Sequence, residues 1–504
     1  MVFGIKNGSV EREVVMKTLQ KLVCFVLVLG LAVMLLPACT DIGEGEETTT
    51  ATGMQSSESD TGSETTARNS LPPGLDFGGE EVKILYWSDA NNEEFNITEQ
   101  TGSLIYDAVW RRDLNVQESL NVKFNWNGQP GSKPQLSNFQ RYVQNSVASG
   151  DNNIEIIAVH SMVMGALAAS GLMQDLLDTE YLDFEMPWWP DDLIENSTVR
   201  GRLYFASGDI SLNTLLGMIG LFFNKEMAQN DLYSYVDAGT WTLDRMLAES
   251  ENVYIDNNGS QTKDKDDIYA YVTYSGMINP LFVGSGIRFV TKTPDGDIAM
   301  SETYASEKTQ GLLQKVIYNL YDKNDWIYFP RIDDCTEVFV EGRSLFYMAS
   351  VRLTINSLIH AENLKYGILP NPKYNEEQQS YHTLMANTYS MYGICISVLE
   401  TDMQSAVIEA MACEGYYEVT PAVFETALKV RYSNDDNDSR MFDILRETSV
   451  MEIGLIFSDQ LGMIPSTGLF GRVNNRSSDW ISYIKSQEKS LNNYLKILNA
   501  SFSK

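Results

Sequence analysis

Strand-like and helix-like segments alternate along the folded part of this chain, and that alternation limits the folds open to it. VKILYW (82–87), NVKFNW (121–126) and IEIIAV (154–159) are short apolar runs of the β-branched and aromatic kind that is typical of strands. Residues 103–120, where apolar side chains recur with helical spacing, and residues 138–149 separate these runs. Strands joined through helices pair in parallel, so the sequence predicts an α/β fold.

A chain of 504 residues is too long for a single core and indicates two or three domains. Another α/β-like stretch follows LLGMIGLFFNK (215–225), and nothing repeats at a short fixed period, which disfavours a solenoid. In an open α/β sheet, ligands bind beyond the carboxyl ends of the strands. Trp87 and Asp89 lie at the end of the first strand, and His160 with Ser161 follows the third. We therefore expect these side chains near a ligand.

The N-terminal segment has the layout of a secretory signal. From Met16, two lysines precede an apolar run (22–36), and small residues then lead to Cys39. LPAC (36–39) resembles a bacterial lipobox, in which cleavage precedes the cysteine and the thiol receives diacylglycerol. We expect residues 1–38 to be a lipoprotein signal peptide with its true start at Met16. A plain signal peptide or a short transmembrane helix is the alternative.

The segment after Cys39 is dominated by Thr, Ser, Glu and Gly and has almost no apolar surface to bury. Such a composition predicts a disordered linker, here residues 39–75, because no core can form to offset the loss of chain entropy. The predicted location is the outer face of the bacterial cytoplasmic membrane, where the linker tethers the folded body to its lipid anchor.

The charge balance argues against several partners. With 68 acidic and 37 basic residues the net charge is −31, which disfavours nucleic acid and adhesion to anionic lipid through basic patches. It also mildly disfavours anionic small ligands. In the body, Cys335, Cys395 and Cys413 show neither CxxC nor metal-like spacing, so we expect buried free thiols rather than a disulfide framework or a zinc site.

Eight segments of the body follow one another in a characteristic order: ASGDNNIEIIAVHSMVMGALAASGLMQDL (148–176), MPWWPDDL (186–193), GRLYFASGDISL (201–212), GLFFNKEM (220–227), YSYVDAGTWTLDRML (233–247), FVEGRSLFYMAS (339–350), YGILPNPKYNEEQQSY (366–381) and EGYYEVTPAVFETALK (414–429). This order resembles the extracellular solute-binding proteins of family 1, the carbohydrate-type receptors of bacterial ABC importers. The resemblance extends from Val82 to the C-terminus, and no single segment is diagnostic.

The resemblance implies two α/β lobes that close on a ligand by a hinge motion. The chain would cross between the lobes near 209–215, near 367–370 and after about Glu414. The implied lobes are discontinuous: 76–210 with 371–414 as lobe 1, and 211–370 with 415–504 as lobe 2. The implied protein is a monomer without enzymatic activity, which captures a small solute such as an oligosaccharide and delivers it to ABC permease subunits.

Candidate ligand-binding residues combine aromatic faces, which stack on sugars, with polar side chains that bind hydroxyl groups. They lie at strand ends and at the implied crossings: Trp87, Asp89, His160, Ser161, Asp209 and Arg352. Structural roles are the alternatives. Trp87 then packs in the core, Asp89 caps a helix, His160 is a hydrogen-bonded loop residue, Asp209 forms a turn and Arg352 makes a salt bridge.

One polar loop has the spacing of an EF-hand-like calcium site. Oxygen-bearing side chains stand at positions 1, 3, 5, 7, 9 and 12 of a twelve-residue run: Asp256, Asn258, Ser260, Thr262, Asp264 and Asp267. Gln261 replaces the usual sixth-position glycine, and two lysines reduce the negative charge. A structural calcium ion outside the ligand cleft is one interpretation, and an acidic surface loop without metal is the other. No other cofactor is expected.

Two further function classes stay open. A secreted glycosidase needs two suitably spaced carboxylates, and the sequence has no nucleophile elbow, HExxH or P-loop. An extracellular sensor that binds ligand without transport is indistinguishable from a transport receptor at this level. Peptides, polyols and sugar phosphates are the alternative ligands.

Overall fold

The computed structural model of the chain describes residues 70–89, 94–361, 363–424 and 436–503. The predicted signal peptide, Cys39 and most of the predicted linker lie outside these residues. The body begins before residue 75, where the linker was expected to end. Leu71 is 6% exposed and packs into the hydrophobic core, and Ser70 Oγ donates a hydrogen bond of 2.9 Å to Glu409. An apolar side chain that reaches the core holds this stretch on the body.

The strands of the described residues, numbered in chain order, are β1 (Glu80–Trp87), β2 (Val122–Gln129), β3 (Ile156–His160), β4 (Ile219–Asn224), β5 (Tyr269–Thr273), β6 (Val290–Lys292), β7 (Ile298–Met300), β8 (Trp326–Tyr328), β9 (Ser344–Ser350), β10 (Tyr366–Leu369), β11 (Thr383–Leu384), β12 (Ser390–Ile394) and β13 (Ser449–Val450).

The α-helices of the same residues are α1 (Leu104–Leu120), α2 (Leu136–Ser149), α3 (Ser161–Ala169), α4 (Asp191–Ser197), α5 (Leu212–Leu215), α6 (Leu232–Asp237), α7 (Leu243–Glu249), α8 (Ile278–Gly284), α9 (Glu307–Tyr321), α10 (Ile332–Val340), α11 (Arg352–Asn356), α12 (Asp402–Glu414), α13 (Asp436–Glu447), α14 (Ile453–Ile456), α15 (Ile464–Asn474) and α16 (Trp480–Ser501). A π-helix, Gly415–Val419, continues α12.

Two mixed sheets carry the fold. The first has the strand order β12-β3-β1-β2, in which β1 is parallel to β2 and β3 and β12 is antiparallel to β3. The second has the order β10-β4-β9-β5-β8, in which β5 is parallel to β8 and β9 while β4 is antiparallel to β9 and β10. Both β3 and β5 are buried along their whole length, as expected of strands covered on both faces. The α/β prediction is confirmed.

The first predicted elements are present as β1, β2 and β3 with α1 and α2 between them, and local chemistry explains their ends. Ser103 begins α1, because its side-chain oxygen accepts the amide N–H of Tyr106. Gly150 ends α2 at a φ of 64°, a left-handed conformation that glycine adopts without a steric cost.

The chain passes between the two sheets more than once. It leaves the first sheet after β3 and reaches the second at β4, and α5 lies on the way, at the predicted first crossing. The return falls a few residues after the predicted 367–370, because the apolar YGIL run forms β10 and pairs with β4. The chain rejoins the first sheet at β12. Afterwards α12 packs against α1, and α13 packs against β10 of the second sheet.

The C-terminal helices contact both halves of the body. Helix α14 packs against α3, beside the first sheet, whereas α15 and α16 pack against α9, beside the second. A Cβ atom added to Gly165 in α3 would lie 2.6 Å from the carbonyl oxygen of Ile456, so the backbones of α3 and α14 approach each other closely. The prediction that 415–504 belongs to lobe 2 alone does not describe α14.

The cysteines of the described body are buried and form no disulfide among the described residues: Cys335, Cys395 and Cys413. This confirms the expectation of buried thiols. Across the described ranges, we find no helix with both the length and the apolar character needed to cross a membrane.

Candidate functional site

A cavity of about 690 Å³, which we call the main cavity, lies where strand ends of the two sheets meet. Trp87 and His160 end β1 and β3 of the first sheet, whereas Ser350 ends β9 of the second and Tyr274 directly follows β5. All four line the cavity, at the carboxyl ends where open α/β sheets bind ligands. The volume falls within the range of about 300–1,000 Å³ that is usual for small-molecule sites.

Trp87 serves both the core and the cavity. Its side chain is 1% exposed, and its indole Nε1 donates a hydrogen bond of 2.9 Å to Ser390 Oγ. The indole meets the His160 ring edge-on, with 5.5 Å between the ring centroids. Trp87 therefore packs in the core, the role that the sequence analysis gave as its alternative, and only a small part of its ring is accessible to a ligand.

His160 caps a helix and lines the cavity at the same time. Its Nδ1 accepts the amide N–H of Met162 at 3.1 Å, at the start of α3. Burial, together with the charge of Lys133, lowers the pKa of His160 to about 4. The ring is thus neutral near pH 7, and because Nδ1 is an acceptor its proton sits on Nε2.

Asp89 and Ser161 lie outside the lining and position residues within it. The Asp89 carboxylate accepts the backbone N–H groups of Gly131 and Ser132, at 2.8 and 3.0 Å, and the Ser132 hydroxyl. Burial raises the pKa of Asp89, but these hydrogen bonds outweigh it and leave the pKa below its ordinary value. Ser161 Oγ donates to the carbonyl oxygen of Asn387 at 2.6 Å. The side chains of Asp89 and Ser161 therefore already form hydrogen bonds within the protein.

Asp209 faces a different cavity. Its carboxylate pairs with Arg446 at 3.1 Å, and both line a second cavity of about 510 Å³ together with Trp188. Burial raises the pKa of Asp209 to about 6, against the opposing charge of Arg446. The structure does not bring Asp209 together with the other candidates, because the first crossing presents Asn213 to the main cavity instead.

Arg352 lies within the main cavity. It begins α11, directly after β9, and its guanidinium donates to Oδ1 of Asn213 in α5. This hydrogen bond joins the end of a strand in the second sheet to the segment that crosses between the sheets. Arg352 therefore connects the cavity wall to the connection between the two halves of the body.

The sequence analysis missed most of the other lining residues, among them Tyr274, Asn279 and Phe470. Tyr274 follows a strand just as Trp87 ends one, so the carboxyl-end rule applied to YAYVT (269–273) finds it. Asn279 is 9% exposed and donates to the carbonyl of Pro465 at 3.3 Å, while its Oδ1 has no hydrogen-bond partner in the described part of the chain. Phe470 lies on α15, where no sequence signal marks it.

The predicted calcium loop is held by its own hydrogen bonds. Asn258 donates to both carboxylate oxygens of Asp264, at 3.2 and 3.0 Å, and the buried Asp267 accepts two tyrosine hydroxyls. Gln261 has a φ of 61°, the left-handed conformation that a sixth-position glycine usually supplies. All six predicted ligands hydrogen-bond within this region: Asp256, Asn258, Ser260, Thr262, Asp264 and Asp267.

Within the described ranges, no group of three or more His, Cys, Asp or Glu side chains is arranged to hold a metal ion. A calcium site completed by amide and hydroxyl oxygens is a different arrangement, so calcium binding stays a prediction.

Two sheets joined by repeated crossings, with a cavity at their strand ends, define the two-lobed fold of periplasmic binding proteins. A cyclo/maltodextrin-binding protein complexed with maltotetraose has this fold. Its structure matches with a TM-score of 0.53 and 11% sequence identity, over 83% of this chain and 96% of that chain. The Thermus thermophilus maltotriose binding protein bound with maltotriose gives a TM-score of 0.49 and 11% identity, over 83% and 99% of the two chains. No protein-family model and no curated protein matches the sequence.

Proposed function

We propose that this chain is an extracellular substrate-binding lipoprotein, which captures an oligosaccharide in the cavity between the sheets and delivers it to an ABC-type permease. One observation carries the proposal: side chains from both sheets, Trp87 and His160 on one side and Tyr274 on the other, line a single cavity. A ligand there contacts both lobes and favours their closed arrangement, since a ligand stabilises the conformation that it binds better. The similar structure that holds maltotetraose supports an oligosaccharide as the ligand class.

The lining has the chemistry that a sugar requires. Tyr274 and Phe470 are half-buried and offer aromatic faces to the C–H faces of sugar rings. Asn279 holds a buried carbonyl oxygen that lacks a partner in the described residues, and such an atom costs about 1–3 kcal/mol when left unpaired. A sugar hydroxyl that donates to this oxygen removes that cost.

The lining also favours binding over hydrolysis. Glycosidases use two carboxyl groups about 5–9.5 Å apart on either side of the scissile bond. Among the described residues that line the main cavity, none is Asp or Glu. We therefore propose that the ligand leaves this site chemically unchanged.

Tyr274→Ala is expected to weaken binding of the recognised oligosaccharide about tenfold or more, which corresponds to about 1.4 kcal/mol of lost aromatic contact. Isothermal titration calorimetry of the chain from residue 40, which lacks the signal peptide and Cys39, against neutral and uronate tetrasaccharides measures the change in affinity. Tyr318→Ala is the matched control, because that ring is 51% exposed on α9 and outside the lining. Formation of products would favour a glycosidase, and absence of binding to every glycan would overturn the proposed function.

Anchoring is a separate part of the proposal. Cys39→Ala is expected to move the protein from the membrane fraction to the medium, because the thiol that would receive the lipid is gone. Cys24→Ala is the matched control, since Cys24 lies within the apolar run of the signal and should leave retention unchanged. Immunoblots of both fractions report the outcome, and retention of the Cys39 variant would contradict lipidation.

A further inference from the structure

We propose that the ligand is anionic, so that the cavity selects an acidic oligosaccharide such as an oligouronate over a neutral one. This inference rests on the proposed function and names the substrate class of the same site. It reverses the expectation drawn from the net charge of the chain, which disfavoured anionic ligands.

The lining of the main cavity departs from the composition of the protein. Asp and Glu make up 68 of the 504 residues, so a lining of this size would ordinarily include several. Three other cavities do contain carboxylates, among them Asp209, Glu155 and Glu226. Within the described ranges, the main cavity is lined by none. No described lining side chain is therefore a carboxylate, although the charges of Asp459 and Asp89, which lie outside the lining, act on Lys133 and His160.

Two cationic side chains reach the cavity from its two sides. Lys133 belongs to the loop that follows β2 of the first sheet, and Arg352 follows β9 of the second. Burial lowers the pKa of Lys133 below its ordinary value, although the charge of Asp459 opposes the shift. An ammonium group that has lost part of its hydration gains more from a ligand carboxylate than a fully hydrated one.

The remaining polar groups add donors. The neutral His160 ring carries its proton on Nε2, since its Nδ1 accepts a backbone N–H. Asp89 holds the segment just before Lys133 in place, because its carboxylate accepts the backbone N–H groups of Gly131 and Ser132. A ligand carboxylate is purely an acceptor, and hydrogen bonds between charged partners are roughly twice as strong as neutral ones. These donors match a ligand carboxylate, and the buried Oδ1 of Asn279 in the same lining matches a hydroxyl of the same sugar chain.

The strongly negative exterior is compatible with an anionic ligand. Charges more than a Debye length apart, about 8–10 Å at physiological salt, are largely screened, whereas contacts inside a partly enclosed cavity are not. The exterior therefore affects the approach of the ligand more than its affinity, and the side chains of the lining decide selectivity.

The test compares tetragalacturonate with its fully methyl-esterified form, which has the same skeleton without the charge. Maltotetraose and cellotetraose serve as further neutral probes, and calorimetry uses the chain from residue 40, which lacks the signal peptide and Cys39. We expect the acid to bind at least thirtyfold more tightly than the ester. Lys133→Gln should weaken binding of the acid about tenfold and binding of the ester by less than twofold, whereas the exposed Lys489→Gln on α16 should change neither.

Failure of this inference is distinguishable from failure of the proposed function. Binding of a neutral tetrasaccharide with no preference for the acid, or equal affinity for acid and ester, overturns the anionic selectivity and leaves oligosaccharide capture intact. Absence of binding to all four probes counts against both. An acid preference that Lys133→Gln leaves unchanged overturns the assignment of this lysine as the charge that selects.

Discussion

Arg112→Met is expected to lower the free energy of unfolding of the body by about 3–5 kcal/mol, the usual cost of leaving one partner of a buried ion pair alone. Arg112 is completely buried on α1, and its guanidinium pairs with Asp113 at 2.7 Å. It also donates to the backbone carbonyls of Ile210 and Glu94, at 2.8 and 3.3 Å. Without it, the Asp113 carboxylate stays buried with no compensating charge, and the first crossing loses a hydrogen bond at Ile210.

Two control variants separate this effect from the loss of any charged pair. Arg331→Met removes a pair with Asp333 in which both side chains are exposed, by 69% and 74%, and should cost no more than about 1 kcal/mol. The double variant Arg112→Met with Asp113→Leu removes both members of the pair and should regain part of the loss, since the hydrogen bonds to Ile210 and Glu94 stay absent. Urea unfolding followed by circular dichroism measures all three. Equal stability of the Arg112 and Arg331 variants would contradict the prediction.

Gly415→Ala is expected to destabilise the body by about 1–3 kcal/mol or more, the range for overpacking a filled interior, and to weaken ligand binding. Gly415 begins the π-helix that continues α12. A Cβ atom there would lie 2.2 Å from the carbonyl oxygen and 2.8 Å from the carbonyl carbon of Asp209. These are backbone atoms of the first crossing, which no side-chain rotation relieves. The alanine therefore separates the π-helix from the segment that joins the two sheets.

Gly311→Ala is the matched control, because Gly311 also lies in a helix and, outside that helix, no atom of the described residues lies within 4 Å of its added Cβ. This variant should gain up to about 1 kcal/mol from the better helix propensity of alanine. Thermal unfolding measures stability, and calorimetry with the recognised oligosaccharide measures the change in affinity. A Gly415 variant as stable as the Gly311 variant would show that the contact relaxes without cost.

Several candidate site residues could be predicted from the sequence, although the rule that found them gives their position in the sheet and not the orientation of their side chains. The carboxyl-end rule needs only the end of each apolar run, and it led to Trp87 and His160. It does not say which way a side chain turns: Ser161, one residue further on, lies outside the lining and donates a hydrogen bond to the backbone of the lining residue Asn387. Arg352 was found through the resemblance, and its contact with Asn213 became visible only in three dimensions.

The sequence by itself determined the α/β character and the positions of the first strands and helices, because the alternation of apolar side chains is a local property of the chain. Only the tertiary structure decided what the cavity contains. Lys133, Asn279 and Arg352 are far apart along the chain and meet because the strand order and the crossings bring their segments to one edge of each sheet. The same crossings turn Asp209 away and keep carboxylates out of the described lining, so a chain with an acidic surface presents lysine and arginine to this cavity.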